Sequence, residues 1–191
     1  GTQASLVARG TAGGTDVDIN LGLDGRLDRW RAASVDFEAS FSADEAADLV
    51  TQLGVTMLPV GSLGEARVEI GAAGIPEEGL EGHARLYLGP SALTAIGRLT
   101  LPESGDSRYA ADLAAQAPDL VPLALLTGRL PSLDASTGAV DLAARLEGEG
   151  DRFTLSDLAG IFAGLRLDGD LRVDLRRALA AAYGTDFSVR N

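Results

Sequence analysis

The dominant pattern along this chain is an alternation of apolar and polar residues with a period of two. It runs through four segments, residues 16–23, 34–41, 140–147 and 165–176. In the first segment, for example, Val17, Ile19 and Leu21 are separated by polar residues. Successive side chains of a strand point to opposite faces of a sheet, so each segment has one apolar and one charged face. This predicts antiparallel strands that are solvated on one side, because strands of a parallel sheet are continuously apolar.

Helical signals are few and short. Ser42, followed three residues later by Glu45, has the spacing of a capping box, and the stripe from Ala46 to Leu53 predicts a helix over residues 42–53 that Gly54 ends. Two more short helices are predicted over residues 118–126 and 175–183. Helices of this length are not stable alone, so each is expected to dock on the sheet.

The chain also contains an internal similarity. The string at residues 23–27 recurs at 95–99 and again at 167–171, and both steps are 72 residues. The order strand, helix, glycine and proline also recurs. We therefore predict repeats of about 72 residues with one short helix each, spanning approximately 23–94 and 95–166, with 167–191 beginning a further unit or capping the array. Repeats of this kind bury their apolar faces by stacking.

Together these patterns predict a mainly β fold with short helices. We expect a single β-rich domain over residues 1–191, built as an antiparallel, strongly bent or twisted sheet that forms a partly open barrel or groove. Glycines such as Gly25, Gly97 and Gly169 are positions where such a sheet could bend. Because the chain starts at Gly1 rather than Met and enters strand-like sequence at once, we interpret it as a segment excised from a longer protein.

Composition narrows the possible partners. The formal net charge is −12, which disfavours nucleic acid and anionic membrane surfaces. The absence of Cys excludes disulfides and thiolate zinc sites. The longest apolar run, residues 120–126, is far shorter than the roughly 20 residues of a membrane-spanning helix.

Catalytic and metal-binding patterns are weak. His83 is the one histidine, and no G-x-S-x-G nucleophile motif accompanies it. Residues 16–20 resemble the start of a calcium loop, but Leu21 and Leu27 stand where the loop needs Gly and Glu. Trp30, between two arginines, is expected to fill one edge of the sheet, and stacking on a guanidinium is the alternative. We therefore predict a protein that is not an enzyme and has no cofactor or metal.

The second half of the chain carries an ordered series of motifs. Its segments are Tyr109–Leu120, which ends in Pro-Asp-Leu, then Leu126–Pro131, Thr137–Gly148, Phe153–Leu158 and Leu165–Leu175, which contains Leu-Asp-Gly-Asp-Leu. This order resembles that of AsmA-like proteins of Gram-negative bacteria. Residues 34–70 and 93–101 resemble a degenerate earlier copy.

The resemblance implies a location and a function. AsmA-like proteins are anchored in the inner membrane by one N-terminal helix and project into the periplasm as a bent β-sheet with an apolar inner groove. They are implicated in phospholipid transport towards the outer membrane and in envelope assembly. For this chain the resemblance implies a periplasmic module, without the membrane anchor, whose partners are phospholipid acyl chains and other repeats of the same parent chain.

Two interpretations of the apolar face stay open. In the first it is an open groove, and its candidate lipid-facing lining is Val35, Phe37, Phe41, Leu165, Leu167, Leu171 and Val173. In the second the face is ordinary core covered by the short helices, and the chain is a structural or protein-interaction β-repeat with no lipid ligand.

Overall fold

Ten antiparallel strands form one sheet in the computed structural model, which describes residues 2–52, 64–118 and 138–174. The strands are β1 (Thr2–Ala12), β2 (Thr15–Gly25), β3 (Ser34–Ala43), β4 (Ala66–Ile75), β5 (Gly79–Leu88), β6 (Ser91–Thr100), β7 (Arg108–Ala117), β8 (Val140–Glu149), β9 (Arg152–Phe162) and β10 (Leu165–Asp174). Each strand pairs with its sequence neighbours, so β1 and β10 are the two edges. The predicted mainly β, antiparallel fold is confirmed, and the sheet is not closed into a barrel.

Seven of the nine connections between strands have eight residues or fewer, which favours pairing between sequence neighbours. The β1–β2 hairpin turns on Gly13 and Gly14, whose φ angles of 53° and 86° suit a two-residue turn that only glycine adopts without strain. The longest connections follow β3 and β7, and both leave from the same end of the sheet. Because neighbouring strands are joined at one end or the other in turn, every adjacent pair is antiparallel.

The pairing register places the apolar residues of all ten strands on the same side. Directly paired residues share a face, and Leu21, for example, pairs with Leu6 on one side and Phe37 on the other. We call this side the apolar face. It comprises even positions 4–12, odd positions 15–23 and 35–43, even positions 66–74 and 80–88, odd positions 91–99 and 109–117, even positions 140–148, positions 153, 155, 158, 160 and 162, and odd positions 165–173. None of these positions holds a charged residue or histidine.

A β-bulge in β9 preserves this separation. Strict alternation from Phe153 and Leu155 would place Asp157 on the apolar face, but the register shifts here and Leu158 takes that position instead. Asp157 has a φ of 53°, and its backbone N–H donates to the Asp170 carboxylate at 3.2 Å. The extra residue of the bulge therefore keeps a carboxylate off the apolar face.

One short α-helix covers one end of the apolar face. This helix, α1, spans Ala46–Gln52, and its Ala46 and Leu49 pack with Ala43, Ala66 and Leu88 in a buried cluster. The predicted start of the helix at Ser42 is wrong, because β3 continues through Ala43 to complete an apolar row. The predicted helix end, at Leu53 and Gly54, lies outside the described residues, as do residues 119–126 and 175–183 of the other two predicted helices.

The 72-residue repeat is not confirmed. The first of its three matching strings begins on β2 and runs past the end of that strand at Gly25, and the other two lie on β6 and β10. These three strands are four places apart in the sheet. Their glycines do not lie at the same height, however, because Gly25 pairs with the terminal residue Thr2, whereas Gly97 pairs with Gly82 in mid-strand. Equal sequence spacing therefore does not correspond to equal places in the sheet.

Candidate functional site

Several residues of the apolar face are exposed, both on its central strands and near the β10 edge. Leu93 in β6 and Ile70 in β4 are 43% and 37% exposed, and Leu165 and Leu171 near the β10 edge are 65% and 50% exposed. Full burial of a side chain of this kind is worth about 1.5–3 kcal/mol, so this exposure forgoes much of its folding energy. Soluble proteins rarely expose large apolar patches, and those that they do expose are often binding sites. The apolar face is therefore the candidate functional site.

Burial on this face is concentrated at the end where α1 lies. Besides the α1 cluster, Ala117 and Val140 are buried there with Ala115, Leu142 and Ala163 packed against them. The hydroxyls of Thr15 and Ser91 are also buried at this end, with no hydrogen-bond partner. The face thus resembles an ordinary core at one end and an exposed surface in its middle.

The predicted lining residues lie on two distant strands. Val35, Phe37 and Phe41 are in β3, and Leu165, Leu167 and Leu171 are in β10, all on the apolar face. Val173 belongs to β10 through its backbone pairing with Phe153, and its side chain lies outside the described residues. Because seven strand positions separate β3 from β10, the structure puts the two groups on one surface but not in one cluster.

The centre of the face lies on strands that contributed no predicted lining residue. Ile70, Ala84 and Leu93 are its exposed apolar residues on β4, β5 and β6. Alternation is present in these strands, but alanine and glycine occupy many of the apolar positions and weaken the signal. A search for alternation that counted alanine and glycine as apolar would have found them.

Glycines on the apolar face allow neighbouring strands to approach closely. A Cβ added at Gly97 would overlap the Ala110 carbonyl oxygen and lie 2.5 Å from the Ala111 Cα atom. One added at Gly82 would lie 2.8 Å from the Gly71 carbonyl oxygen. On the opposite face, a Cβ at Gly22 meets nothing closer than 3.8 Å. At Gly82 and Gly97, neighbouring backbones therefore come close together on the apolar side, which glycine in a strand allows.

The opposite face carries ion pairs between neighbouring positions and strands. Nitrogen–oxygen distances are 3.0 Å for Arg9–Asp18, 2.8 Å for Arg67–Glu69, 3.5 Å for Arg85–Glu69, 3.3 Å for Arg98–Glu81 and 3.8 Å for Arg145–Asp112. Exposed pairs such as these are each worth about 0–1 kcal/mol. Their main effect is to keep this face hydrated. The sheet therefore has one hydrated, charged face and one apolar face.

Residues that suggested other chemistry lie on the charged face or outside the sheet. His83 pairs with Gly71 and Ile96, and its ring leans over Gly71 beside the Glu38 carboxylate. Of the calcium-like segment, Asp16 accepts a hydrogen bond from Thr11 at 2.7 Å, and Asp18 binds an arginine of β1. Within residues 2–52, 64–118 and 138–174, no three potential ligands are grouped around a metal position.

Trp30 lies in a 3-10 segment, Leu27–Ala32, between β2 and β3. The guanidinium carbon of Arg31 is 4.8 Å from the centre of its ring, which is cation–π geometry. Trp30 remains 40% exposed, so of the two predicted roles the structure shows stacking.

Resolved pKa shifts in the described chain arise from ion pairs on exposed side chains. A hydrogen bond from the Arg26 guanidinium lowers the pKa of the Asp28 carboxyl from its ordinary value and raises the pKa of Arg26 itself. A hydrogen bond to Glu147 raises the pKa of Arg145, with a smaller contribution from Asp112. None of these groups lies on the apolar face.

Comparison with known proteins gives no relative from which a function could be transferred. No family model, curated protein or solved structure matches this chain. Among the described residues, no helix combines the length and apolarity needed to cross a bilayer. The functional interpretation therefore depends on the apolar face itself.

Proposed function

We propose that this chain is a non-catalytic module that holds phospholipid acyl chains against its apolar face. In this proposal it is part of an AsmA-like periplasmic protein, which takes part in phospholipid transport between membranes and in outer-membrane assembly. The parent protein is anchored in the inner membrane outside this segment, and its other repeats extend the sheet. One observation supports the proposal above all: a face without charge runs across ten strands and is exposed in its middle.

The energetics of acyl chains favour such a surface over water. Removing one methylene from water is worth about 0.8 kcal/mol, so a chain of roughly sixteen carbons gains about 12 kcal/mol when it is fully covered. A bilayer offers the same gain, so a carrier competes only if it covers the chain on more than one side. We propose that the sheet bends inward at Gly82 and Gly97 to meet this requirement, because these glycines let neighbouring strands approach closely on the apolar side.

A second function is favoured by the helix end of the sheet. There α1 covers the apolar face as an ordinary core does, with Leu49 2% exposed and Leu88 1% exposed. If a comparable cover extends over the whole face, the chain is a structural or protein-interaction β-repeat with no lipid ligand. The exposed middle of the face is where the two functions make different predictions.

A matched pair of variants on β6 separates them. Leu93→Asp places a carboxylate in the middle of the apolar face, where the native residue is 43% exposed. Ile96→Asp places the same group on the charged face of the same strand, where the native residue is 54% exposed. The wild type and both variants would be incubated with phosphatidylethanolamine–phosphatidylglycerol vesicles, re-isolated and extracted, and the retained lipid quantified by mass spectrometry.

We expect the wild type and Ile96→Asp to retain phospholipid, and folded Leu93→Asp to lose most of it. Circular dichroism and urea denaturation report whether the fold is intact. Unfolding of Leu93→Asp alone would favour the structural alternative, because a buried unpaired carboxylate costs several kcal/mol. Absence of lipid from the wild type, or equal retention by all three proteins, would contradict the lipid function.

A further inference from the structure

The connection between β2 and β3 differs in charge from the other connections of the sheet. It contains Arg26, Arg29 and Arg31, and these are the only basic residues that the structure describes outside the strands. Charged residues in α1 and in the remaining described connections are all acidic. The same connection holds Trp30, the one tryptophan of the chain. We call residues 26–32 the Trp30 segment, and it lies at the end of the sheet opposite α1.

Two large apolar side chains of the Trp30 segment are exposed. Leu27 is 64% exposed and Trp30 is 40% exposed, and every residue from 26 to 32 is exposed. Within the described chain, the other exposed large apolar residues all belong to strands, where sheet pairing determines which face they occupy. Single exposed apolar residues are common on protein surfaces. A leucine and the one tryptophan exposed together among three arginines are a more specific surface.

This combination of side chains is typical of contact with a membrane interface. Tryptophan is enriched at the level of the lipid headgroups, where its ring is covered by apolar groups and its N–H stays hydrogen-bonded. Arginine side chains lay their apolar stems along such a surface and bind phosphate through their guanidinium N–H groups. The guanidinium carbon of Arg31 lies 4.8 Å from the centre of the Trp30 ring. A phosphate-binding group is therefore held directly beside the aromatic ring.

The charges around the Trp30 segment sum to zero. Arg26 forms an ion pair with Asp28 at 2.7 Å. The turn between β4 and β5 carries Glu77 and Glu78, and the Glu77 backbone N–H donates to the Arg31 carbonyl oxygen at 3.0 Å. Three carboxylates thus balance the three arginines. In a chain of net charge −12, this disfavours an anionic surface and favours one that carries phosphate groups without net charge.

We propose that the Trp30 segment is a membrane contact that inserts Leu27 and Trp30 among the headgroups of a zwitterionic phospholipid bilayer. Binding strength at an interface scales with the apolar area that is buried, so two inserted side chains give a peripheral, reversible contact. Because β2 ends and β3 begins here, the contact brings this end of the apolar face to the bilayer surface. The proposal does not depend on whether the apolar face retains lipid.

Trp30 is its own probe, because the chain contains no other tryptophan. On titration with phosphatidylcholine vesicles its emission should shift to shorter wavelength as the ring leaves water, and phospholipid brominated on its acyl chains should quench it. Leu27→Asp keeps the probe and should raise the lipid concentration at half-maximal shift by about tenfold or more. The control, Ile96→Asp, changes a 54% exposed residue on the charged face of β6 and should bind as the wild type does.

Flotation of the protein with the same vesicles gives a second measurement. The wild type should float with the vesicles, and Trp30→Ala, whose fold is checked by circular dichroism, should stay in the dense fraction. The Trp30 emission of Leu93→Asp separates this contact from lipid retention on the apolar face, because a shift that persists without retained lipid arises at the Trp30 segment. Unchanged Trp30 emission with vesicles, equal affinities of Leu27→Asp and wild type, or equal flotation of Trp30→Ala would overturn the proposal. The exposed tryptophan would then be a contact for another protein.

Discussion

The close approach of β6 and β7 at Gly97 leads to an unusual prediction about a glycine in a strand. Replacing glycine by alanine inside a strand normally stabilises a protein by about 0.5–1 kcal/mol, because alanine loses less conformational freedom on folding. At Gly97 the added methyl group would overlap the Ala110 carbonyl oxygen and lie 2.5 Å from the Ala111 Cα atom. Both of these atoms belong to the backbone, and the next nearest is the Ala111 Cβ atom at 2.7 Å, so none of them can rotate away as the end of a long side chain can.

The expected effect of Gly97→Ala is therefore a loss of stability. Inserting an extra methyl group into a tightly packed position costs about 1–3 kcal/mol, which exceeds the gain in conformational entropy. The net destabilisation should be about 1–2 kcal/mol. With an m value of about 2 kcal/mol per molar urea, this lowers the unfolding midpoint by roughly 0.7 M.

A second glycine provides the control. Gly10 lies in β1 on the same face, and a Cβ added there meets no atom within 4 Å. Gly10→Ala should therefore show the ordinary stabilisation of about 0.5–1 kcal/mol. Urea unfolding of both variants, monitored by circular dichroism, measures the change in the free energy of unfolding. The change should be negative for Gly97→Ala and positive for Gly10→Ala. If Gly97→Ala were as stabilising as Gly10→Ala, the strands would not converge on the apolar side and the argument for an inward bend would fail.

Two further substitutions test the helix end of the apolar face. Leu49→Ala removes a 2% exposed side chain from the α1 cluster and should destabilise the protein by about 2–4 kcal/mol in thermal or urea unfolding. A cost below about 0.5 kcal/mol would show that α1 is not docked. Ser91→Ala removes a buried hydroxyl without a hydrogen-bond partner and should raise the free energy of unfolding by up to about 1 kcal/mol. A clear loss of stability would show that this hydroxyl has a partner after all.

The helix end and the exposed part of the apolar face are expected to have different physical roles, and different substitutions test them. Stability at the helix end depends on Leu49, whereas binding is expected to depend on residues such as Leu93 that are already exposed. Substitutions in the open middle should therefore change lipid retention more than stability. A surface that evolved only as core would show the opposite, with every apolar substitution reducing stability.

The local pattern of the sequence was sufficient to predict an antiparallel β fold and the two faces of β2, β3, β8 and β10. Strand residues alternate between faces by geometry, so the apolar residues around Val17 and Phe37 had to share one side. A shift of one residue in any strand pairing would move all the apolar side chains of that strand to the charged face. The cost of this exposure fixes the register wherever the alternation is strict. The antiparallel arrangement followed from the same alternation, because one side of each strand is charged.

The tertiary structure determined the features in which long-range contacts override local sequence preferences. The Ser42–Glu45 pattern satisfies the local rule for a helix start, yet pairing of β3 with β2 and β4 extends the strand through Ala43. The bulge at Asp157 depends on which residues β8 and β10 place opposite it. Whether Leu93 is covered or exposed depends on what packs above the sheet, which neither its identity nor its neighbours in sequence specify. Local preferences act through near neighbours in the chain, whereas pairing, bulging and burial are set by residues far away in sequence.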